Sequence, residues 1–139
     1  QPRDPARDRP GDGGPRGAVH GPGVGFPHFA NDQPVGFAVI GGCIYDGASV
    51  SSLAGEYVFG AFTQSFAEPA GRLLTSTPRA SGDWPTRSLS IAGQEGLGMN
   101  LLGIGRDGDG ELYALGTTAA ISEKIWTQQK GEIYRITSP

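Results

Sequence analysis

A short pattern of residues occurs twice in this chain, at positions 55 residues apart. The segment 55–60 reads Gly-Glu-Tyr-Val-Phe-Gly, and the segment 110–116 reads Gly-Glu-Leu-Tyr-Ala-Leu-Gly. Each copy is followed by a loop and by a second strand-like run, which begins at Gly71 or at Gly131. Repetition at this spacing is typical of an array built from one supersecondary unit. Two units alone leave sheet faces and strand edges uncovered. We therefore expect the chain to act together with another protein segment or a partner protein that covers them.

The chain divides into an arm and a packed domain. Its 24 glycines and 11 prolines are about a quarter of the 139 residues and are densest before residue 37. They predict turns and extended backbone there. Residues 1–34 are therefore expected to form a Pro/Gly-rich arm or linker, in which arginines and aspartates nearly cancel in charge. The packed domain is expected over 35–139.

Composition argues against a nucleic-acid partner and against a membrane-spanning segment. A net charge of −3 and a pI of about 5.2 give no basic footprint for a phosphate backbone, so nucleic acid is not expected. No run approaches the roughly 18 apolar residues that a membrane-spanning helix needs. The single cysteine, Cys43, cannot form an internal disulfide and is expected to be a buried small hydrophobe rather than a reactive thiol.

The pattern of short apolar runs predicts an all-β fold. In the first unit, about 36–76, strands are expected over 35–45, 56–62 and 72–75, with a bend at Gly41 and Gly42. In the second unit, about 87–137, they are expected over 87–91, 100–105, 111–115 and 132–136. Leu101, Leu102 and Ile104 are the predicted core residues of the second unit. No amphipathic helical period is sustained for 11 residues, which is about the length needed to predict a helix.

The segment Asp107-Gly108-Asp109-Gly110-Glu111 has two interpretations. Two carboxylates two residues apart, followed by a glycine, resemble the start of a calcium-binding EF-hand loop. The later ligand positions of such a loop are missing, because the chain passes directly into a predicted strand. Asp-Gly supplies the positive φ angles that a tight hairpin turn needs, so the hairpin is the favoured interpretation and no metal site is expected.

Other motifs for catalysis are weak. His20 and His28 stand eight residues apart without a cluster of further metal ligands, so His28 is expected to be a surface or interface residue. The chain has no Gly-x-Ser-x-Gly elbow and no P-loop. The run 103–106 is not a dinucleotide fingerprint, because no helix follows it.

Two long loops contain the candidate binding residues. Each joins the same pair of strands in its unit, so both are expected on one side of the array, where a rigid scaffold often places binding groups. The alternative is that they are variable loops without a function. Trp84 and Trp126 also fit a role as capping residues or interface anchors. The candidate ligand-facing or partner-facing residues are Thr63, Gln64, Phe66, Glu68, Trp126 and Lys130.

The order of these motifs resembles the C-terminal end of the glucose/sorbosone dehydrogenase family. The resemblance covers roughly 37–136 and rests mainly on the segments 41–45, 57–60 and 107–113. It implies a six-bladed β-propeller, of which this chain forms two blades. It also implies a periplasmic or extracellular sugar dehydrogenase that uses pyrroloquinoline quinone (PQQ) with calcium. The chain departs from the family pattern at Cys43, Asp46, Ala61 and Arg106.

The family's catalytic histidine comes from an earlier blade, and nothing in this chain matches its motif. The resemblance therefore predicts that the chain is the C-terminal part of an oxidoreductase acting on sugars and is inactive on its own, with PQQ and calcium held by the full-length parent. The alternative is a non-catalytic binding or scaffolding subunit derived from a propeller. The expected partners are the remaining blades or a protein that covers the strand edges.

Overall fold

The computed structural model describes residues 36–94, 96–121 and 130–138. The predicted arm at 1–34 lies outside these residues. Along the chain the elements are β1 (Val39–Ile44), a 3-10 turn (Ser51–Leu53), β2 (Tyr57–Ala61), β3 (Arg72–Ser76), β4 (Thr86–Ser88), β5 (Asn100–Arg106), β6 (Leu112–Thr117) and β7 (Gly131–Arg135). The all-β prediction is confirmed for the described part of the chain, which forms two antiparallel sheets. No helix within it has the length and apolar character needed to cross a bilayer.

The first sheet is a four-stranded meander in the order β1-β2-β3-β4. Its register shifts between Ile40 and Cys43, so the bend predicted at the two glycines is a β-bulge. Gly42 is required there, because a Cβ atom at this position would overlap the carbonyl of Val58 on β2. The bulge thus lets the edge strand approach its neighbour closely.

Strand β4 corrects the predicted boundary between the two units. Residues from 87 onward were expected to open the second unit, but Thr86, Arg87 and Ser88 pair with β3 in the first sheet. The reason is local: the short segment after β3 turns back at once, and the N–H of Thr77 bonds to the carbonyl of Pro85 at 3.1 Å. The first unit therefore extends to Ser88.

The second sheet has three described strands in the order β5-β6-β7. The prediction that Leu102 belongs to the core is wrong, because its side chain is exposed. Leu102 follows the buried Leu101, and successive side chains of a strand point to opposite faces. The register shift between Leu101 and Gly103 adds a residue to β5 and returns Ile104 to the face of Leu101. Leu101 is fully buried and Ile104 packs against the core, as predicted.

The main core lies between the two sheets. It contains Val58 and Leu73 from the first sheet and Leu101, Leu112 and Ala114 from the second, all almost inaccessible to solvent. Apolar burial of this kind contributes about 25 cal/mol per Å². The sheets are therefore held together by a shared apolar layer, with β1 packed close to β5.

The two sheets stack in the same sense. We call the two faces of each sheet A and B. In the first sheet the A face carries Tyr57 and Phe59 on β2. In the second sheet it carries Leu112 and Ala114 on β6, the residues 55 positions later. The opposite B face carries Val58 and Gly60 on β2, and Tyr113 and Leu115 on β6, because successive side chains of a strand point to opposite faces. Since Val58, Leu112 and Ala114 share the core, the B face of the first sheet packs against the A face of the second.

Candidate functional site

The loop between β2 and β3 contains four of the predicted binding residues, of which Thr63 is fully buried. Its hydroxyl donates to the carbonyl of Ser65 at 2.8 Å and accepts the N–H of Ser65 at 3.2 Å. Its carbonyl accepts the N–H of Phe37 at 3.0 Å. Thr63 therefore shapes the loop from inside, and its side chain does not face solvent.

Phe66 and Glu68 are the exposed members of this loop. The ring of Phe66 stacks on that of Phe37, with centroids 4.3 Å apart and planes 11° from parallel. Gln64 is partly buried, and its N–H bonds to the carbonyl of Ala70 at 3.0 Å, which closes the loop. The loop thus presents an aromatic pair and a carboxylate on a hydrogen-bonded base.

The loop between β6 and β7 contains the other two predicted residues. Trp126 lies outside the described residues. Lys130 is exposed, and its carbonyl accepts the N–H of Thr118 at 3.0 Å, so the two ends of the loop are joined just before β7. Lys130 therefore stands at the foot of this loop.

Asn100 connects the two loops and was not singled out by the sequence. Its side chain is fully buried at the start of β5. Its Nδ2 donates to the carbonyl of Ala119 at 2.9 Å, and its Oδ1 accepts the N–H of Ala70 at 3.4 Å. Ala70 ends the first loop and Ala119 begins the second. One buried amide thus holds the two loops side by side at the same end of the paired sheets.

A second polar cluster lies at the opposite end of β6, where Glu111 is buried. Its Oε1 accepts the N–H groups of Ala48 and Ser49 at 3.0 and 2.9 Å, and its Oε2 accepts the hydroxyl of Tyr45 at 2.9 Å. The Arg135 guanidinium lies 3.9 Å from Oε1. A carboxylate of the second sheet is therefore bound by the turn that follows β1 in the first.

The ionisation of Glu111 follows from these contacts. Burial alone would raise the pKa of its carboxyl, but hydrogen bonds from Ser49, Tyr45 and Ala48 outweigh burial and lower the pKa from 4.5 to about 2. Burial, in contrast, raises the pKa of the Tyr45 hydroxyl. Glu111 is thus an anion that is already fully occupied by donors, which makes it a structural group rather than a catalytic acid or base.

The segment 107–111 forms the predicted hairpin turn. The N–H of Asp107 bonds to the carbonyl of Glu111 at 3.0 Å, and Gly110 has a φ of 83°. Asp107 Oδ1 accepts the N–H groups of Asp109 and Glu111, and its Oδ2 accepts the hydroxyl of Tyr113. The N–H of Glu111 lowers the pKa of Asp107, partial burial opposes this, and Tyr113 lowers it further.

These hydrogen bonds occupy the carboxylate oxygens of Asp107 that a cation would need. Across residues 36–94, 96–121 and 130–138, no group of three or more histidine, cysteine, aspartate or glutamate side chains is arranged to hold a metal ion. The hairpin by itself accounts for the geometry of the segment 107–111.

A cleft of about 480 Å³ opens between the sheets at the turn after β4. Leu73, Ala114 and Ile136 form its apolar floor, and Gln94 and Arg135 lie at its polar margin. The described residues that line it are mostly apolar, and they include no pair of groups poised for proton transfer. The cleft fits an apolar contact better than a reaction.

Sequence reasoning missed the two residues that organise these ends of the molecule. Glu111 was seen only as the end of a turn, although the repeated Gly-Glu pair offered a signal. Its counterpart Glu56 also uses its carboxylate within the fold, accepting the hydroxyls of Thr75 and Thr77 at 2.9 and 2.8 Å. Asn100 had no comparable signal, since its two partners lie 30 and 19 residues away. A comparison of the sequence with models of known protein families gave no match.

Proposed function

We propose that this chain supplies two neighbouring blades of a β-propeller that belongs to an oxidoreductase of the glucose/sorbosone dehydrogenase type. The observation that carries the proposal is the arrangement of the sheets. Each is an antiparallel meander, the sheets stack in the same sense, and the first strands β1 and β5 pack together. Neighbouring propeller blades have this relationship, with their first strands innermost around a central channel.

The paired loops are the part of the chain that would serve the parent's function. Asn100 holds them side by side, and Phe66, Glu68 and Lys130 are exposed on them. Loops on a rigid scaffold are common positions for groups that contact a substrate. In this proposal they border the sugar-binding side of the parent, and they act by contact and hydrogen bonding rather than by chemistry.

The oxidation itself is assigned to the parent polypeptide. Two observations support this: Asp107 uses both carboxylate oxygens within its turn, and the described residues include no group of three or more histidine, cysteine, aspartate or glutamate side chains that could hold a metal ion. They also include no histidine. We therefore derive no step involving PQQ in this chain, and we expect it to be inactive on its own.

The proposal is tested in two stages on the polypeptide from its native source. Its intact mass under denaturing conditions should be several times the 14.4 kDa of this chain. The purified parent should then reduce an artificial electron-accepting dye in the presence of an aldose, PQQ and calcium. A large parent without sugar-dependent dye reduction would overturn the oxidoreductase assignment.

A non-catalytic scaffolding subunit is the second candidate. One observation favours it: the second sheet exposes Leu102 and Ile133, which is unusual unless the surface binds something. A parent mass close to 14.4 kDa would select this candidate. The measurement would then be affinity capture from the native source, with identification of the protein that covers these residues.

A further inference from the structure

Strand β7 lies at the edge of the second sheet. Of the described strands, it alone has every residue exposed. It pairs with β6 on one side, and no described residue pairs with its other edge. An open strand edge presents backbone N–H and C=O groups that can bond to a further strand. The outer edge of β7 is therefore a candidate surface for pairing with another chain.

The hydrogen bonds at the two ends of β7 show which of its backbone groups face outward. The carbonyl of Lys130 accepts an N–H from the end of β6 at 3.0 Å, and the N–H of Ile136 donates to β6 at 2.8 Å. In an antiparallel pair, alternate residues of a strand bond to the same neighbour. The even-numbered residues of β7 therefore bond to β6. The backbone groups of Gly131, Ile133 and Arg135 point to the open edge.

The other described sheet edges carry features that discourage pairing. Strand β4 has only three residues, and β1 and β5 are interrupted by register shifts. Short strands and bulges are common protections of a sheet edge. Strand β7, in contrast, pairs with β6 through five residues without a shift and contains no proline. Among the described edges, β7 is thus the best suited to pair with another strand.

We propose that β7 pairs antiparallel with β7 of a second copy of this chain, about a two-fold axis beside Ile133. The two three-stranded sheets would then join into one sheet of six strands, which is an ordinary size. The inference does not rest on the proposed function. In a propeller β7 would be the outermost described strand of its blade, so that two propellers would meet at their rims.

The sequence of β7 selects this register. With Ile133 opposite its own copy, Gly131 lies opposite Arg135 of the second copy, so all three outward-facing residues of each strand are paired. Glu132 then lies opposite Tyr134 of the second copy, and no like charges meet. An axis at residue 132 would place two Glu132 carboxylates opposite each other, which is destabilising. An axis at residue 134 would place Ile133 opposite the charged Arg135.

The edge is self-complementary, which favours a second copy over a strand of unrelated sequence. A two-fold axis makes every contact twice, so Glu132 and Tyr134 would meet on both sides of it. The side chain of Ile133 is 66% exposed in the single chain and would meet its own copy at the centre. Burying these two aliphatic side chains against each other would stabilise the pair.

Sedimentation equilibrium of the 139-residue chain over a concentration series tests the association. The weight-average mass should rise with concentration from 14.4 kDa towards twice this value. Amide hydrogen exchange, measured by NMR at both ends of the series, locates the contact. The amides of Gly131, Ile133 and Arg135 should exchange on the order of tenfold more slowly in the dimer, because their new hydrogen bonds must first open. The amides of Glu132 and Tyr134 should change little, since they already face β6.

Three outcomes would overturn the proposal. The first is a mass of 14.4 kDa at every concentration. The second is a dimer in which the amides of Gly131, Ile133 and Arg135 still exchange fast, because it would use another surface. The third is slow exchange of these amides in the monomer, which would mean that another segment of the chain occupies the edge.

The full-length parent from the native source should associate in the same way. Its mass by sedimentation should approach twice its denatured mass. Dimerisation of the 139-residue chain but not of the parent would show that the rest of the parent occupies the edge, and would also overturn the proposal.

Two variants at one position test the register. Tyr134→Lys places a cation opposite Glu132 of the second copy and should lower the dissociation constant by roughly 2- to 30-fold, as two cross-strand ion pairs would. Tyr134→Glu places two carboxylates opposite each other and should raise it by a similar factor. If residue 134 faced its own copy, both variants would bring like charges together. Weaker dimers from both would therefore overturn the register.

Ile133→Pro provides an independent check, with Ile133→Val as its matched control. Proline removes an N–H that points away from β6, and a strand edge tolerates it there. Circular dichroism of the dilute chain should show both variants folded. Only Ile133→Pro should lose the dimer at concentrations where the unchanged chain is dimeric. A folded Ile133→Pro variant that still forms the dimer would overturn the pairing.

Discussion

The hydroxyl of Tyr45 donates a hydrogen bond to the carboxylate of Glu111 across the two sheets, at a distance of 2.9 Å. The same hydroxyl accepts the N–H of Val50 at 2.8 Å, so it connects the turn after β1 to the start of β6. Both side chains are buried. Gly47 lies directly beside them, and a Cβ atom there would come within 2.7 Å of the carboxyl carbon of Glu111. Glu111 therefore forms a tightly packed polar link between the two sheets, in addition to the apolar core that they share.

This link predicts an acid-sensitive stability. The pKa of Glu111 is about 2 in the folded chain and 4.5 at its ordinary value. A carboxyl whose pKa is lowered by folding stabilises the protein above the ordinary value, and the stabilisation is lost as the pH falls from about 4.5 to about 2. Thermal unfolding followed by circular dichroism should show the melting temperature falling across this range.

The substitution Glu111→Gln isolates this contribution. It should lower the melting temperature at pH 7 and flatten the decline between about pH 4.5 and 2, leaving the smaller part that comes from Asp107, whose pKa is also lowered. Glu132→Gln is the matched control, because it removes the same charge from an exposed position on β7. An unchanged acid slope in Glu111→Gln would contradict the link.

The local features of the fold could be predicted from the sequence, and the long-range ones could not. The bend at Gly41 and Gly42 and the turn at 107–110 depend on glycines that a neighbouring carbonyl or a positive φ requires. The sheet to which β4 belongs could not be predicted from the sequence. A strand of three residues is too short to show which side chains alternate between faces, and the preceding loop determines the strand with which it pairs. Leu101, Leu102 and Ile104 do not all face the core, and the sequence does not show that a bulge lets Leu101 and Ile104 share the core face while Leu102 stays exposed.

The candidate site shows the same division. The repeat predicted that the β2–β3 loop and the β6–β7 loop lie on the same side. In the structure the buried side-chain amide of Asn100 bonds to one end of each loop. Asn100 itself gave no signal, because a buried Asn is recognised by its partners, and these become neighbours only after the sheets have packed.

Asn100 is expected to couple the two loops. Asn100→Leu keeps the approximate size of the side chain but leaves the Ala119 carbonyl and the Ala70 N–H without their partner. Leaving the buried Ala119 carbonyl unsatisfied costs about 1–3 kcal/mol, and the partly buried Ala70 N–H adds less. Urea unfolding should show the loss of stability, and hydrogen exchange should become faster in both loops together.

Thr118→Val is the control for Asn100→Leu. It removes a longer hydrogen bond of 3.5 Å at the foot of the second loop only. Its effect should be confined to that loop and should be smaller. Faster exchange in only one loop of Asn100→Leu would show that the amide does not couple them.

The packing of the two sheets is tested by a pair of glycines. A Cβ atom at Gly60 would lie 2.5 Å from the carbonyl oxygen of Arg72 and would overlap the side chain of Leu101, whereas Gly103 faces open space. Gly60→Ala should therefore destabilise the chain by about 1–3 kcal/mol through overpacking. Gly103→Ala should be neutral or should stabilise the chain by about 0.5 kcal/mol, because it restricts the unfolded chain. Equal free energies of unfolding in urea for the two variants would contradict the described contact between the sheets.

The turn at Ala92 offers a stabilising substitution. Ile91 and Gln94 form two backbone hydrogen bonds, of 2.6 and 2.9 Å, and both residues between them have positive φ angles, 50° for Ala92 and 80° for Gly93. A left-handed conformation costs a residue with a Cβ atom about 1–2 kcal/mol. Ala92→Gly should remove most of this strain and raise the free energy of unfolding by up to about 1 kcal/mol, after the greater flexibility of glycine in the unfolded chain is subtracted. Gly93→Ala should act in the opposite sense, and urea unfolding that ranked Gly93→Ala above Ala92→Gly would contradict the described turn.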